Sequence, residues 1–204
     1  MNRTRRILVL SAAICCLGAG AAALAVREGW KPWQFGTNEL YELRMIDHST
    51  PDSRPMGLVL DITPAEARGG AEQVTVSYTT KVEMPASELG PETAFGGALG
   101  AGFGMGPAML LMNPMITAFM GEMNLAVGEK MAMFGMGRIE ITGKQEIAGM
   151  EGFVCKFFGP KEQNEPLQFE WVLHPDLALP LESITYDSEG NKTWEIQLVR
   201  YEKH

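Results

Sequence analysis

Residues 74–84 alternate without a break. Val74, Val76, Tyr78, Thr80, Val82 and Met84 point one way, and Thr75, Ser77, Thr79, Lys81 and Glu83 point the other. A side-chain period of two belongs to a β-strand with one apolar and one polar face. The pattern recurs along the chain: Tyr41, Leu43 and Met45; Met56, Leu58, Leu60 and Ile62; Ile139 and Ile141; Phe153, Cys155 and Phe157; Leu167, Phe169, Trp171 and Leu173; Trp194, Ile196 and Leu198. Turn residues separate the runs at Ser49-Thr50-Pro51-Asp52, Gly69-Gly70, Ala148-Gly149, Gly159-Pro160 and Ser188-Glu189-Gly190-Asn191. Beyond Arg138 the spacings leave no room for crossover helices, so the strands are expected to be antiparallel. About eight strands are predicted. Their apolar faces need a cover, from barrel closure, a second sheet or helices laid across a curved sheet.

One segment breaks the pattern. From Ala94 to Gly121 there is no charged residue, and nine of the chain's 14 methionines fall between Met105 and Met136. Pro85-Ala86-Ser87-Glu88-Leu89 is expected to open a short helix. A glycine run from Gly96 to Gly106 is followed by Pro107, where a second helix can begin. A helix apolar nearly all round is buried or lies in lipid. Pro114 would kink it, and the Gly/Pro density argues against a membrane span. Two readings stand: helices that cap the sheet, or a functional segment that is either a Met-rich lid over an apolar cavity or a surface that docks on membrane or an apolar partner. Methionine is flexible and polarizable and fits varied apolar shapes. The predicted lining is Phe103, Met109, Leu110, Met112, Met115, Phe119 and Met120.

The N-terminus addresses the chain. Arg3, Arg5 and Arg6 precede the uncharged stretch 7–26, and Ala23-Leu24-Ala25 is a small-residue cleavage pattern. This describes a signal peptide over 1–25. An uncleaved anchor over 7–26, with Trp30 and Trp33 in an interfacial belt, is the competing reading. Lipid attachment at Cys15 or Cys16 is a third. Each puts the body, 26–204, outside the cytoplasm, free in the periplasm or tethered. That body is expected to be one domain with a helical insertion at about 86–136.

Removal of 1–25 leaves 14 basic and 25 acidic residues, a net charge of −11. Such a surface argues against nucleic acid and against electrostatic attachment to anionic lipid. Membrane contact, assigned to 94–123, would be hydrophobic. Cys155 alone remains after cleavage, so no internal disulfide forms, and alternation with Phe153 and Phe157 makes it a small core hydrophobe.

Catalytic patterns are missing. His48, His174 and His204 do not cluster with Cys or acids at metal-ligand spacing, and neither a metal nor a cofactor is expected. His174 with Pro175-Asp176 is expected to form a turn. There is no nucleophile elbow, phosphate loop or H-E-x-x-H. The chain is therefore not expected to be an enzyme.

The C-terminal third carries a resemblance. Gly143-Lys144-Gln145-Glu146-Ile147-Ala148-Gly149 makes a turn, and a strand with Phe153, Cys155 and Phe157 follows. Then come Phe169-Glu170-Trp171-Val172-Leu173-His174-Pro175-Asp176-Leu177-Ala178-Leu179-Pro180-Leu181 and a final hairpin. This resembles exported bacterial proteins of the outer-membrane lipoprotein carrier (LolA-like) superfamily. The resemblance implies a half-open antiparallel barrel, its apolar concave face capped by helices, in proteins that carry acyl chains or sense envelope lipids. It covers about a third of the chain and has no counterpart for 94–137. The expected function is binding of an acyl chain, lipid or lipoprotein anchor. The alternative is a structural module that docks on a partner protein or membrane.

Overall fold

A computed structural model describes residues 29–50, 53–68, 71–83, 120–121, 123–133, 135–160 and 165–204. The expected β class is what these residues form: nine strands in one antiparallel sheet that does not close. They are β1 (Glu39–Asp47), β2 (Met56–Arg68), β3 (Ala71–Val82), β4 (Lys130–Met133), β5 (Gly137–Ile147), β6 (Met150–Phe158), β7 (Leu167–Leu173), β8 (Glu182–Tyr186) and β9 (Lys192–Lys203). The spatial order is β3-β2-β1-β9-β8-β7-β6-β5-β4. Two meanders thus meet at the β1–β9 pair, and residues 83–129 join the two outer edges.

Cross-strand register puts the predicted apolar residues on one face. Leu60 stands opposite Tyr78 and Tyr41, Met45 opposite Ile196, Trp171 opposite Cys155, and Cys155 opposite Ile141. Hairpin chemistry holds the register. Ala148 and Gly149 both have positive φ, 51° and 77°, which suits the tight β5–β6 turn. On the opposite face Gly152 packs so closely that a Cβ would lie 2.7 Å from Val172 Cγ1 and 2.8 Å from Leu181 Cδ1.

Two expectations change, at residues 130–133 and at Trp30. The strand count, nine among the described residues, agrees with the expected figure of about eight; β8 shows no alternation. Glu182, Ser183, Ile184 and Thr185 of β8 are all buried, so no polar face marks the strand. Residues 130–133, inside the stretch expected to be helical, pair with 137–140 as edge strand β4. Trp30 is not placed for a membrane belt: it is 1% exposed, and its indole N–H donates to the Leu177 carbonyl at 2.8 Å. A buried indole needs such a partner.

Among the described residues helix appears only at Met120–Gly121, and no helix is long and apolar enough to cross a membrane. The expected signal or anchor and the helical cover over 86–119 lie outside the described residues.

Candidate functional site

The apolar face divides into two parts. Over β4–β7 it is filled. Ile139, Ile141, Cys155, Phe157, Trp171 and Leu173 form one buried cluster with Trp30, Met120, Met123 and Leu125 from the segments before β1 and before β4. Phe157, Phe169 and Trp171 stack in series, with centroids 5.9 and 5.7 Å apart. The Cys155 thiol is sealed here, and burial pushes its pKa up to about 12. It is a small core hydrophobe, as alternation indicates.

Over β1 and β9 a second cluster forms around Tyr41, Leu43, Met45, Ile196 and Leu198. Residues 29–38 lie along the boundary of the two. Trp33 packs against both clusters, and its backbone N–H donates to the Ala178 carbonyl at 3.0 Å. Trp33 has φ 60° and Asn38 φ 85°, unusual values for residues with a side chain. Asn38 donates to the Ile62 carbonyl and exchanges backbone and side-chain bonds with His204, which fixes the end of this strap.

A buried carboxylate ties the strap to the sheet. Glu39 is 4% exposed. It accepts from the Tyr41 hydroxyl at 3.0 Å, the Tyr201 hydroxyl at 3.2 Å and the Gly36 backbone N–H at 3.0 Å. Burial, then the Glu39 charge, raises both phenols, Tyr41 well above its usual range and Tyr201 to about 12. Both therefore remain protonated donors. Among the described residues no buried side-chain nitrogen or oxygen lacks a partner.

The face changes at β2 and β3. Leu60 and Ile62 are buried, yet their register partners Tyr78 and Val76 are 70% and 42% exposed. Val74 and Val82 are also exposed. A pocket of about 210 Å³ opens here, lined by Phe35, Gly36, Thr37, Leu60, Ile62, Val74, Val76 and Tyr78. Its polar groups are few, and Phe35 of its lining belongs to an aromatic series, Trp33–Phe35–Tyr41–Tyr201, in which each ring meets the next. It is an apolar concavity among the described residues. A second depression, about 520 Å³, is lined by Glu42, Arg44, Arg54, Lys81 and Glu83 among others and has mixed charge.

Of the predicted lining, Phe103, Met109, Leu110, Met112, Met115 and Phe119 lie outside the described residues. Met120 is 1% exposed in the filled cluster, away from the pocket residues, and is core there. The sequence pattern marks the strand residues of the pocket only as members of apolar strand faces; it does not mark Phe35. The signal for Phe35 was faint, the last of three aromatics in the short segment Trp30–Phe35.

Two other expectations, both of turns, resolve locally. The His174 ring Nδ1 accepts from the Asp176 backbone N–H at 3.2 Å, so the trio forms a turn. Asp187 accepts from the backbone N–H groups of Glu189 and Asn191, which lowers its pKa and shapes the last hairpin. Among the described residues no group of three His, Cys, Asp or Glu side chains could hold a metal ion.

The fold and site together describe an open antiparallel sheet with one apolar face, filled at one end and open at the other. No family model matches the sequence, and no curated protein matches it. Solved structures do. MucB is 13% identical with a TM-score of 0.40, over 91% of this chain and 59% of that one. The Pseudomonas aeruginosa MucA/MucB complex gives 14% identity and a TM-score of 0.36, over 81% and 51%. A putative exported protein with YmcC-like fold from Bacteroides fragilis gives 11% and 0.38, over 86% and 99%. The chain spans between half and three-fifths of these MucB chains. At such scores the likeness says nothing of what this chain binds.

Proposed function

We propose that this protein is an exported, non-catalytic binding protein of the cell envelope, related to the lipoprotein carrier superfamily, that takes an apolar group on the open end of its sheet. The observation that supports this most is the β2–β3 face. Val74, Val76, Tyr78 and Val82 stay exposed beside a pocket floored by Leu60 and Ile62, although the same face is filled at β4–β7. Contiguous exposed apolar surface of this kind marks interaction sites. The driving force is burial of apolar area, about 25 cal/mol per Å².

The pocket's size narrows the occupant. About 210 Å³ is below the roughly 300–1,000 Å³ usual for small-molecule sites. It has room for part of one acyl chain. The uncharged 94–119 stretch is the proposed cover, on its composition. A second reading is favoured by the same volume: one apolar side chain of a partner protein could fill it.

The test is native mass spectrometry of the exported chain, purified without detergent, before and after exposure to a long-chain fatty acid. Adducts of acyl mass, lost in Ile62→Asp and Tyr78→Asp, are the expected result. A clean apo mass both before and after exposure would overturn the acyl reading. Adducts that survive both substitutions would place the ligand elsewhere.

A further inference from the structure

We propose that the outer edge of β3 is a self-association surface, on which a second copy of this chain adds its own β3 antiparallel across a two-fold axis at Val76. The two edges of the sheet differ sharply. β4 has four residues; β3 has 12, and every residue from Glu72 to Glu83 is exposed. Among the described residues nothing pairs with the outer side of β3. An edge strand presents a row of unpaired N–H and C=O groups, and monomeric proteins blunt such edges with proline, lysine, bulges or short length. β3 contains no proline and one lysine, Lys81, and its pairing with β2 has no register break from Met56↔Val82 to Ala65↔Gln73.

The sequence of β3 is complementary to itself. Antiparallel pairing about Val76 sets Val76 against its own copy and Val74 against Tyr78 twice, all on the apolar face. The polar face pairs Thr75 with Ser77 and Gln73 with Thr79. Aromatic–β-branched and hydroxyl pairs of these kinds stabilise antiparallel strands, and like charges directly opposite destabilise them. No like charges meet: Glu72 faces Thr80, and Lys81 faces Ala71. An axis on Ser77 would set Glu72 against Val82, and an axis on Tyr78 would shorten the overlap. The whole chain is acidic, with a net charge of −8, so two copies repel over most of their surface. β3, with Glu72 and Lys81 balanced, is a neutral place to meet. Such an interface is isologous and closes at a dimer. It also sets the two pockets side by side, because Val74, Val76 and Tyr78 line each of them.

The test is the sedimentation mass of the exported chain over a wide concentration range, with two substitutions at the axis. Val76→Lys puts two ammonium groups opposite each other; Val76 is 42% exposed, so the monomer keeps its fold, checked by far-UV circular dichroism. Val76→Cys puts two thiols on directly opposed positions, about 4.5–5.5 Å apart at Cβ, close to disulfide reach. Tyr78→Cys is the register control, since its two copies stand four positions apart, roughly 13 Å. The expected result is a doubling of mass with concentration in the wild type and its loss in Val76→Lys. A reducible dimer should form in Val76→Cys and not in Tyr78→Cys. A monomer at every concentration, a dimer that persists in Val76→Lys, or cross-linking through Tyr78→Cys alone would overturn the proposal. So would protection of the β3 amides from hydrogen exchange only when a different protein is added.

Discussion

Strands β7 and β3 are written in the same alphabet. Phe169, Trp171 and Leu173 share one face of β7, as Val74, Val76 and Tyr78 share one face of β3. In β7, Trp171 is 1% exposed; in β3, Tyr78 is 70% exposed. The difference comes from what lies across each strand. Trp30, Met120, Met123 and Leu125 close over β5–β7, whereas the strap 29–38 ends its cover at Phe35, beside Leu60 and Ile62. Alternation thus decides which residues share a face. It does not decide whether that face is filled, because filling depends on segments distant in sequence.

The sharpest way to break the comparison is at its filled end. Trp171→Ala removes a fully buried ring that stacks on Phe169, and should cost about 3–5 kcal/mol, read as a drop in the urea midpoint at constant m. A cost below roughly 1 kcal/mol would mean that the β7 end is not the stabilising half. Next comes the carboxylate at the boundary. Glu39→Leu leaves the hydroxyls of Tyr41 and Tyr201 and the Gly36 N–H without their acceptor. Each such loss costs about 1–3 kcal/mol, offset in part by the apolar replacement. The loss should appear with faster hydrogen exchange at residues 36–38. Unchanged exchange there would show that Trp30 and Trp33 hold the strap without the carboxylate.

Much of this fold was legible in the sequence, and the gaps have physical causes. The residues of β1, β2 and β9 alternate because one side of each strand is open to solvent, so period two is visible. β8 is buried on both sides and therefore reads as no pattern at all. β4 was hidden because its methionines continue a Met-rich segment and its four residues are too few to show a period. Glu39 is the clearest omission. Nothing in Asn38-Glu39-Leu40 marks that acid as buried, since its partners Tyr201 and Gly36 come from a distant strand and a loop. Cys155, in contrast, was placed correctly by its two phenylalanine neighbours alone.

A smaller effect is expected on the outer face of the filled half. Glu182 is 6% exposed and accepts from Gln197 at 3.0 Å and Gln145 at 3.4 Å. Burial, then the nearby Glu195 charge, raises its pKa above the usual carboxylate range. The folded state therefore holds this proton more tightly than the unfolded chain does. Its share of the pH dependence makes the protein more stable as pH falls from the raised value toward the ordinary carboxylate range, and less stable above it. Glu182→Gln removes that charge and keeps an acceptor for Gln197. It should stabilise the protein modestly at pH 7 and leave stability unchanged below the carboxylate range. Equal effects at both pH values would show that Glu182 acts through packing.

The smallest effect expected is at the open end, and it tests the comparison most directly. Tyr78→Ala truncates the most exposed large apolar residue of the sheet. Substitutions at such positions lie usually within about ±0.5 kcal/mol, so the urea midpoint should barely move while acyl binding weakens. Leu60→Ala, directly opposite on β2 and 6% exposed, supplies the contrast: about 2–5 kcal/mol lost for a buried leucine. If Tyr78→Ala instead costs as much as Leu60→Ala, the β3 face is covered in solution. The two ends of the sheet would then be alike, and the pocket beside Phe35 would be interior rather than a binding site.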